Sequence, residues 1–279
     1  MLYQQAPFDF SRDVLVIVHI PKTGGTALSK FIIDHFGPEN CLRGIDIGVE
    51  KVGKIQPSRA SKLRWRAREQ AQKLAMLLRG GDPRLKQFYS KAELENVRAI
   101  SGHFPLGAEP KISRKPVYVT AVREPVDRFL STYYMGQDHR ASWPPGKRDR
   151  HPFWGYDLDR FVDYVYARRQ WNDINLQCRF LGGAGRFETA RRAVDDRVFL
   201  AAPTDRLDEG LELLRPVLDL QTTILPPANV DKTRQRGAPP SPETLAKIRA
   251  MTAEDQLLYD YVSRVFDDLY REVTSRRVA

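Results

Sequence analysis

The sequence predicts an α/β fold, a P-loop-like, mainly parallel central sheet flanked by helices. Three observations carry this. Short β-branched runs bounded by turn residues recur along the chain. Most of these runs lead into a stretch with helical apolar spacing. Two of the strand-to-helix junctions hold more polar groups than a turn needs, and they fall where such sheets bind ligands, beyond the carboxyl ends of the strands.

Taken in chain order, VLVIVHI (14–20) reads as a buried strand and TALSKFIIDHF (26–36) as a helix stopped by Gly37-Pro38. A strongly basic helix closed by glycines is expected over 57–81. VRAISGHF (97–104) and KPVYVTAVREP (115–125) each read as a strand running into a polar turn. PVDRFLSTYYM (125–135) restarts a helix with proline in its first turn, where proline is tolerated. Residues 138–156 look irregular around WPPGKRDRHPFWGY. Helices follow over 157–170 and 172–181, the second ended by Gly182-Gly183. RVFLAAP (197–203) is a strand candidate and LDEGLELLRPVLDL (207–220) a helix. A Pro-rich connector at 226–240 leads to two terminal helices over 241–252 and 254–275. No internal repeat appears, and one domain over 1–279 is the expected organisation.

With 279 residues, 42% hydrophobic and 29% charged, the chain suits a globular protein with a sizeable core. It has no apolar run of about 18 residues, so no membrane-spanning helix is expected. The N-terminus lacks the basic-then-apolar pattern of a signal peptide. Cys41 and Cys178 are too few and too far apart for a disulfide framework or a metal site. A cytoplasmic protein is the expectation, with the inner membrane face as a candidate contact. The net charge of +10 favours anionic partners. No RNA- or DNA-reading motif appears and the basic residues are dispersed, so a nucleic-acid partner is not expected.

The first polar junction is PKTGGT. Glycines let backbone N–H groups approach an anion, and the following helix adds its unpaired N–H groups and positive dipole end. Thr23 and Thr26 can donate hydroxyl hydrogen bonds, and Lys22 supplies a mobile charge. This is not a Walker A loop, in which the lysine follows the last glycine. Here Lys22 precedes Gly24 and Gly25, and Arg123 stands where a magnesium-binding aspartate would end a strand. Both facts weigh against a nucleotide triphosphatase. At the second junction, VREPVDRFLSTYY, Arg123 ends a strand and Ser131 lies two turns into the next helix. The planar guanidinium matches a phosphate face and a serine hydroxyl can complete the shell, although Glu124 and Asp127 could equally make Arg123 a structural ion-pair partner.

Together, HIPKTGGTAL and YVTAVREPVDRFLSTYY resemble the two nucleotide-binding motifs of sulfotransferases that use 3'-phosphoadenosine 5'-phosphosulfate (PAPS). The similarity is closest to the carbohydrate branch typified by heparan sulfate 2-O-sulfotransferase and its bacterial relatives. The resemblance implies a sulfotransferase fold and in-line transfer of a sulfuryl group from PAPS to a hydroxyl of a carbohydrate acceptor, acidic acceptors included. It implies that Lys22 tends the bridging oxygen, that Thr23, Gly24, Gly25 and Thr26 cradle the 5'-phosphosulfate, and that Arg123 and Ser131 hold the 3'-phosphate. A sulfuryl group carries less charge than a phosphoryl group, so no metal is expected. An acceptor hydroxyl gains from a general base near neutral pH, and the branch's catalytic histidine lies in a Gly-His stretch that maps onto His103 of ISGHFPLG. Glu124 and Glu109 are weaker reserves, since glutamate serves in other branches.

NDINLQCRFLGG (172–183) also resembles a segment of this branch. Residues two apart do not share a helical face, so only some of Asn175, Gln177 and Arg179 can reach a ligand, and Arg179 is the leading candidate. Lys232 and Arg236 in NVDKTRQRG stand where the family closes a loop over the 3'-phosphate and adenine. The aromatic and basic residues of 138–156 suit an acceptor-side loop, or one pinned by packed tryptophans. A lipid-linked or small hydroxylated metabolite is the alternative acceptor, and a nucleotide-dependent phosphotransferase the alternative of a different class. Nothing in the sequence sets an oligomeric state.

Overall fold

A computed structural model describes residues 1–4, 8–45, 48–51, 96–109, 112–143, 146, 148, 152–168, 174–223 and 239–278. The basic stretch at 57–81 lies outside these residues, as do Lys232, Arg236 and most of the Pro-rich connector.

The sheet contains β1 (Asp13–Val18), β2 (Cys41–Ile45), β3 (Gly48–Lys51), β4 (Ala99–Gly102), β5 (Lys115–Val122) and β6 (Val198–Pro203). Their order is β3-β2-β4-β1-β5-β6. Five strands, β2, β4, β1, β5 and β6, run parallel, and β3 pairs antiparallel with β2 at one edge. The α/β class and its mainly parallel sheet are therefore as expected. The β2–β3 pair was not anticipated.

All six residues of β1 are buried, as a central strand with helices on both faces requires. Val14, Val16 and Val18 point into one core with Ile100, Leu258 and Val262. Leu15 and Ile17 point into the other with Leu28, Phe31 and Leu211. Each such side chain contributes roughly 1.5–3 kcal/mol of transfer free energy. β1 ends one residue before the His19-Ile20 pair because Ile20 N–H turns back to Val18 C=O at 3.1 Å.

The helices are α1 (Gly25–Phe36), α2 (Pro125–Ala141), α3 (Leu158–Arg168), α4 (Leu176–Gly182), α5 (Phe187–Arg197), α6 (Leu207–Leu218), α7 (Pro242–Met251) and α8 (Ala253–Val278). Two start with the signals their sequences carry. Pro125 opens α2 behind Glu124, whose carboxylate accepts from Asp127 N–H at 2.6 Å. Pro242 opens α7 behind Ser241, whose hydroxyl accepts from Thr244 N–H at 3.2 Å. Helix α5 was not anticipated. Among the described residues no helix is long and apolar enough to cross a membrane.

A third cluster joins α2, α3 and α7 through Phe129, Phe161 and Ile248. Trp154, from the stretch read as an acceptor-side loop, belongs to it. Its ring stacks on Phe161 at 5.2 Å and fills the space beside Gly136. Arg148 donates to Trp143 C=O and Ala141 C=O at 2.8 Å each, tying that stretch to the end of α2. Both cysteines are buried and free. Burial pushes the Cys41 thiol up to about 12 and raises that of Cys178 further.

Candidate active site

Four neighbouring strands end side by side. Val18 of β1 is in register with Gly102 of β4 and Thr120 of β5, and Val122 of β5 with Pro203 of β6. The residues that follow these ends are His19 to Gly24, His103, Arg123 and Thr204, so the topology brings both polar junctions and His103 to one edge.

The first junction is a tight turn whose shape is dictated residue by residue. Lys22 and Gly24 both adopt left-handed backbone, at φ 71° and 79°. Glycine does so freely, but lysine pays about 1–2 kcal/mol for it. Thr23, between them, is fully buried, and its hydroxyl donates inward to Ile20 C=O at 2.9 Å. Thr26 in the first turn of α1 is exposed. The two threonines are thus divided, one fixing the turn from within and one facing outward. Gly25 is needed for a different reason: a Cβ there would lie 2.0 Å from the His19 ring. A Cβ at Gly24 would meet Leu207 at 2.8 Å, so the two glycines let His19 and Leu207 pack closely against the start of α1, where N–H groups lack intrahelical partners.

His19 and His103 meet edge to face with ring centroids 4.3 Å apart. His19 N–H donates to Gly102 C=O at 3.1 Å, which locks the two strand ends together. Behind them the Ser29 and Ser101 hydroxyls share a buried 2.5 Å hydrogen bond, pinning α1 to β4. The other described histidines are elsewhere. His35 lies 3.3 Å from Leu218 C=O and His139 is exposed near the end of α2.

At the second junction Arg123 reaches back to the first, its Nη1 donating to Lys22 C=O at 3.4 Å, with Nη2 3.9 Å from Asp127. Ser131 is buried within α2. The two reserve carboxylates have other work: Glu124 caps α2, and Glu109 accepts from the Tyr118 hydroxyl at 2.6 Å. Burial, reinforced by that bond, raises the Tyr118 pKa.

No family model matches the chain. It is similar to heparan sulfate 2-O-sulfotransferase hst-2 of Caenorhabditis elegans, with 21% identity over 180 residues. The match covers 57% of this chain and 55% of that protein, so the chain spans about half the length of the curated relative it matches. The chain is distantly related to a sulfotransferase.

The site contains Thr204, which the sequence did not single out, and Gln177, which ranked there behind Arg179. Thr204, just after β6, places its hydroxyl 2.9 Å from both Thr23 C=O and Val122 C=O, bridging the two junctions. Within NDINLQCRFLGG the residue that touches the site is Gln177. It is fully buried, and its amide bonds both backbone groups of Arg123. Arg179 is exposed and donates to Ile174 C=O at 2.9 Å. Asn175 accepts from Asp255 N–H at 3.3 Å. Helical periodicity already separated Gln177 from its neighbours at 175 and 179. An uncharged amide, however, carries no sequence signal for an anion site.

Proposed function

We propose that this protein is a PAPS-dependent sulfotransferase acting on a hydroxyl of a carbohydrate acceptor. The observation that supports the reading best is the convergence of the Lys22 turn, His103 and Arg123 at one sheet edge. The residues suit the donor. A helix start with unpartnered N–H groups suits a 5'-phosphosulfate, and an arginine at the adjacent strand end suits a second phosphate.

When bound, PAPS supplies a sulfuryl group on a good phosphate leaving group. The chain's own residues position and neutralise charge around it. Lys22, held in a strained backbone conformation within the turn, would supply the ammonium that offsets negative charge on the bridging oxygen. The Gly24-Gly25-Thr26 backbone holds the 5'-phosphate, with the Thr26 hydroxyl as a further donor. Thr23 contributes by holding the turn. Arg123 and Ser131 would hold the 3'-phosphate, with Lys232, which lies outside the described residues, assigned to the same phosphate by the family resemblance alone. An imidazole nitrogen of His103 takes the acceptor hydroxyl proton, and His19 keeps that ring in place edge-on. The donor and acceptor sites are assigned to a single domain, working in the cytoplasm or at the inner membrane face without a metal.

Titration calorimetry tests the reading. Adenosine 3',5'-bisphosphate is expected to bind without magnesium and more tightly than adenosine 5'-monophosphate, and Arg123→Ala to abolish the preference. Equal affinities in the unmodified protein would refute it. His103→Ala is expected to retain bisphosphate binding and lose transfer of labelled sulfate from PAPS across a panel of glycans and hydroxylated lipids. Unchanged turnover would remove His103 from the role of base.

A further inference from the structure

The main chain of Arg123 is held on both its polar groups by one side chain. Gln177 Oε1 accepts from Arg123 N–H at 2.8 Å, and Gln177 Nε2 donates to Arg123 C=O at 2.9 Å. A primary amide offers the same acceptor and donor as a peptide unit. Gln177 therefore acts on Arg123 as a residue of a neighbouring strand would, one step beyond the last residue of β5.

The residue that does this is itself fixed. Its side chain is fully buried. Its own N–H donates to Asp255 Oδ2 at 3.1 Å, and the next N–H, of Cys178, donates to Asp255 Oδ1 at 2.8 Å. Asp255 is fully buried near the start of α8 and interacts electrostatically with Arg128, also fully buried, in the first turns of α2. The bracket thus leaves Arg123, passes through Gln177 and Asp255, and returns to α2, the helix that follows Arg123. Such closure determines where the Arg123 peptide plane sits. An arginine fork that must meet a phosphate tolerates only about 0.5 Å and 10–20° of misplacement.

We propose that Gln177 is a positioning residue that gives the Arg123 junction its selectivity for a 3'-phosphorylated nucleotide. The proposal rests on the reading that Arg123 holds the 3'-phosphate. It assigns to an uncharged, buried residue part of the discrimination that the arginine delivers.

The experiment is calorimetric titration of adenosine 3',5'-bisphosphate and adenosine 5'-monophosphate into the full chain. It compares the unmodified protein with Gln177→Leu, Gln177→Glu, Arg123→Ala and the Gln177→Leu/Arg123→Ala pair. Gln177→Leu is expected to weaken bisphosphate binding about tenfold, as befits a lost charge-directed contact, and to leave monophosphate binding within about twofold. The double variant is expected to bind the bisphosphate no more weakly than Arg123→Ala alone, because Gln177 acts through that arginine. Gln177→Glu keeps the acceptor for Arg123 N–H and loses the donor at nearly the same volume, so it is expected to show a partial loss of preference. It also covers the case in which the leucine variant does not fold. Multiplying losses in the double variant would overturn the proposal, and so would equal weakening of both nucleotides or an unchanged preference in Gln177→Glu. Equal affinities in the unmodified protein are a separate result, which removes the 3'-phosphate role of Arg123 and this proposal with it.

Discussion

Gly25→Ala isolates the packing that shapes the first junction. Gly25 has an ordinary helical backbone, so an alanine there meets no conformational penalty, unlike one at Gly24 with its φ of 79°. The whole effect comes from where the new methyl goes: 2.0 Å from His19 Cδ2 and 2.6 Å from its Cγ and Nε2. Ordinary contact begins near 3.4 Å, so the ring must retreat by more than an ångström, and His103 stands edge-on 4.3 Å away. Overpacking of this kind costs about 1–3 kcal/mol, against a helix-propensity gain of up to about 1 kcal/mol. The expected net loss is about 1–2 kcal/mol, or roughly 2–8 °C in Tm for a chain of this size. Thermal and urea unfolding of Gly25→Ala should be run both alone and with His19→Ala. With the ring removed, the same substitution should cost nothing or stabilise, giving a coupling of at least about 1 kcal/mol. An equal loss in both backgrounds would show that His19 is not what excludes a side chain at position 25.

Two further expectations concern the turn and its support. Lys22→Gly relieves the left-handed strain and should be about 1 kcal/mol more stable in urea than Lys22→Ala, while both lose sulfuryl transfer; equal stabilities would show that position 22 is unstrained. Burial outweighs Arg128 and two backbone donors in setting the Asp255 pKa, which is raised above its ordinary 3.8. The native state then holds the proton to higher pH than the unfolded chain. This contribution to stability is present at low pH and declines as pH rises from about 3.9 to the raised native value. Unfolding free energies measured across that window should show the unmodified protein losing ground to Asp255→Asn as pH rises, and parallel curves would contradict the assignment.

The elements that the sequence reveals are those with a local physical signature. β1 announces itself because a strand buried on both faces must be apolar throughout, and Gly37 and Pro125 mark helix boundaries by backbone chemistry alone. The pair β2–β3 is short and contains Gly44, Gly48 and charged residues, so it carries no strand pattern, and its partners lie far along the chain. That PKTGGT and the strand end at His103 are polar turns at the carboxyl edge of the sheet was legible. The inward role of Thr23 was not, because a hydroxyl reads the same whether it faces a ligand or Ile20 C=O. Gln177, named only as one of three candidates behind Arg179, and Thr204 and Asp255, which were not named, escaped for a related reason. Their partners are 54, 181 and 78 residues away in the chain, and nothing in their immediate neighbours requires a buried polar side chain. Trp154 was left open between an acceptor-side role and packing, and its ring is packed against Gly136 and Phe161.

The hydroxyl of Thr204 has a consequence for the order in which the molecule can be completed. It spans carbonyls at residues 23 and 122, yet it belongs to the stretch that follows the edge strand β6. During synthesis both junctions emerge before the hydroxyl that bridges them. Their separation follows from the pairing of β1 with β5, Val18 beside Thr120, and the Thr204 bridge is added only once β6 has been made. The bridge is therefore the last part of the site to be made, and it comes with the edge strand β6.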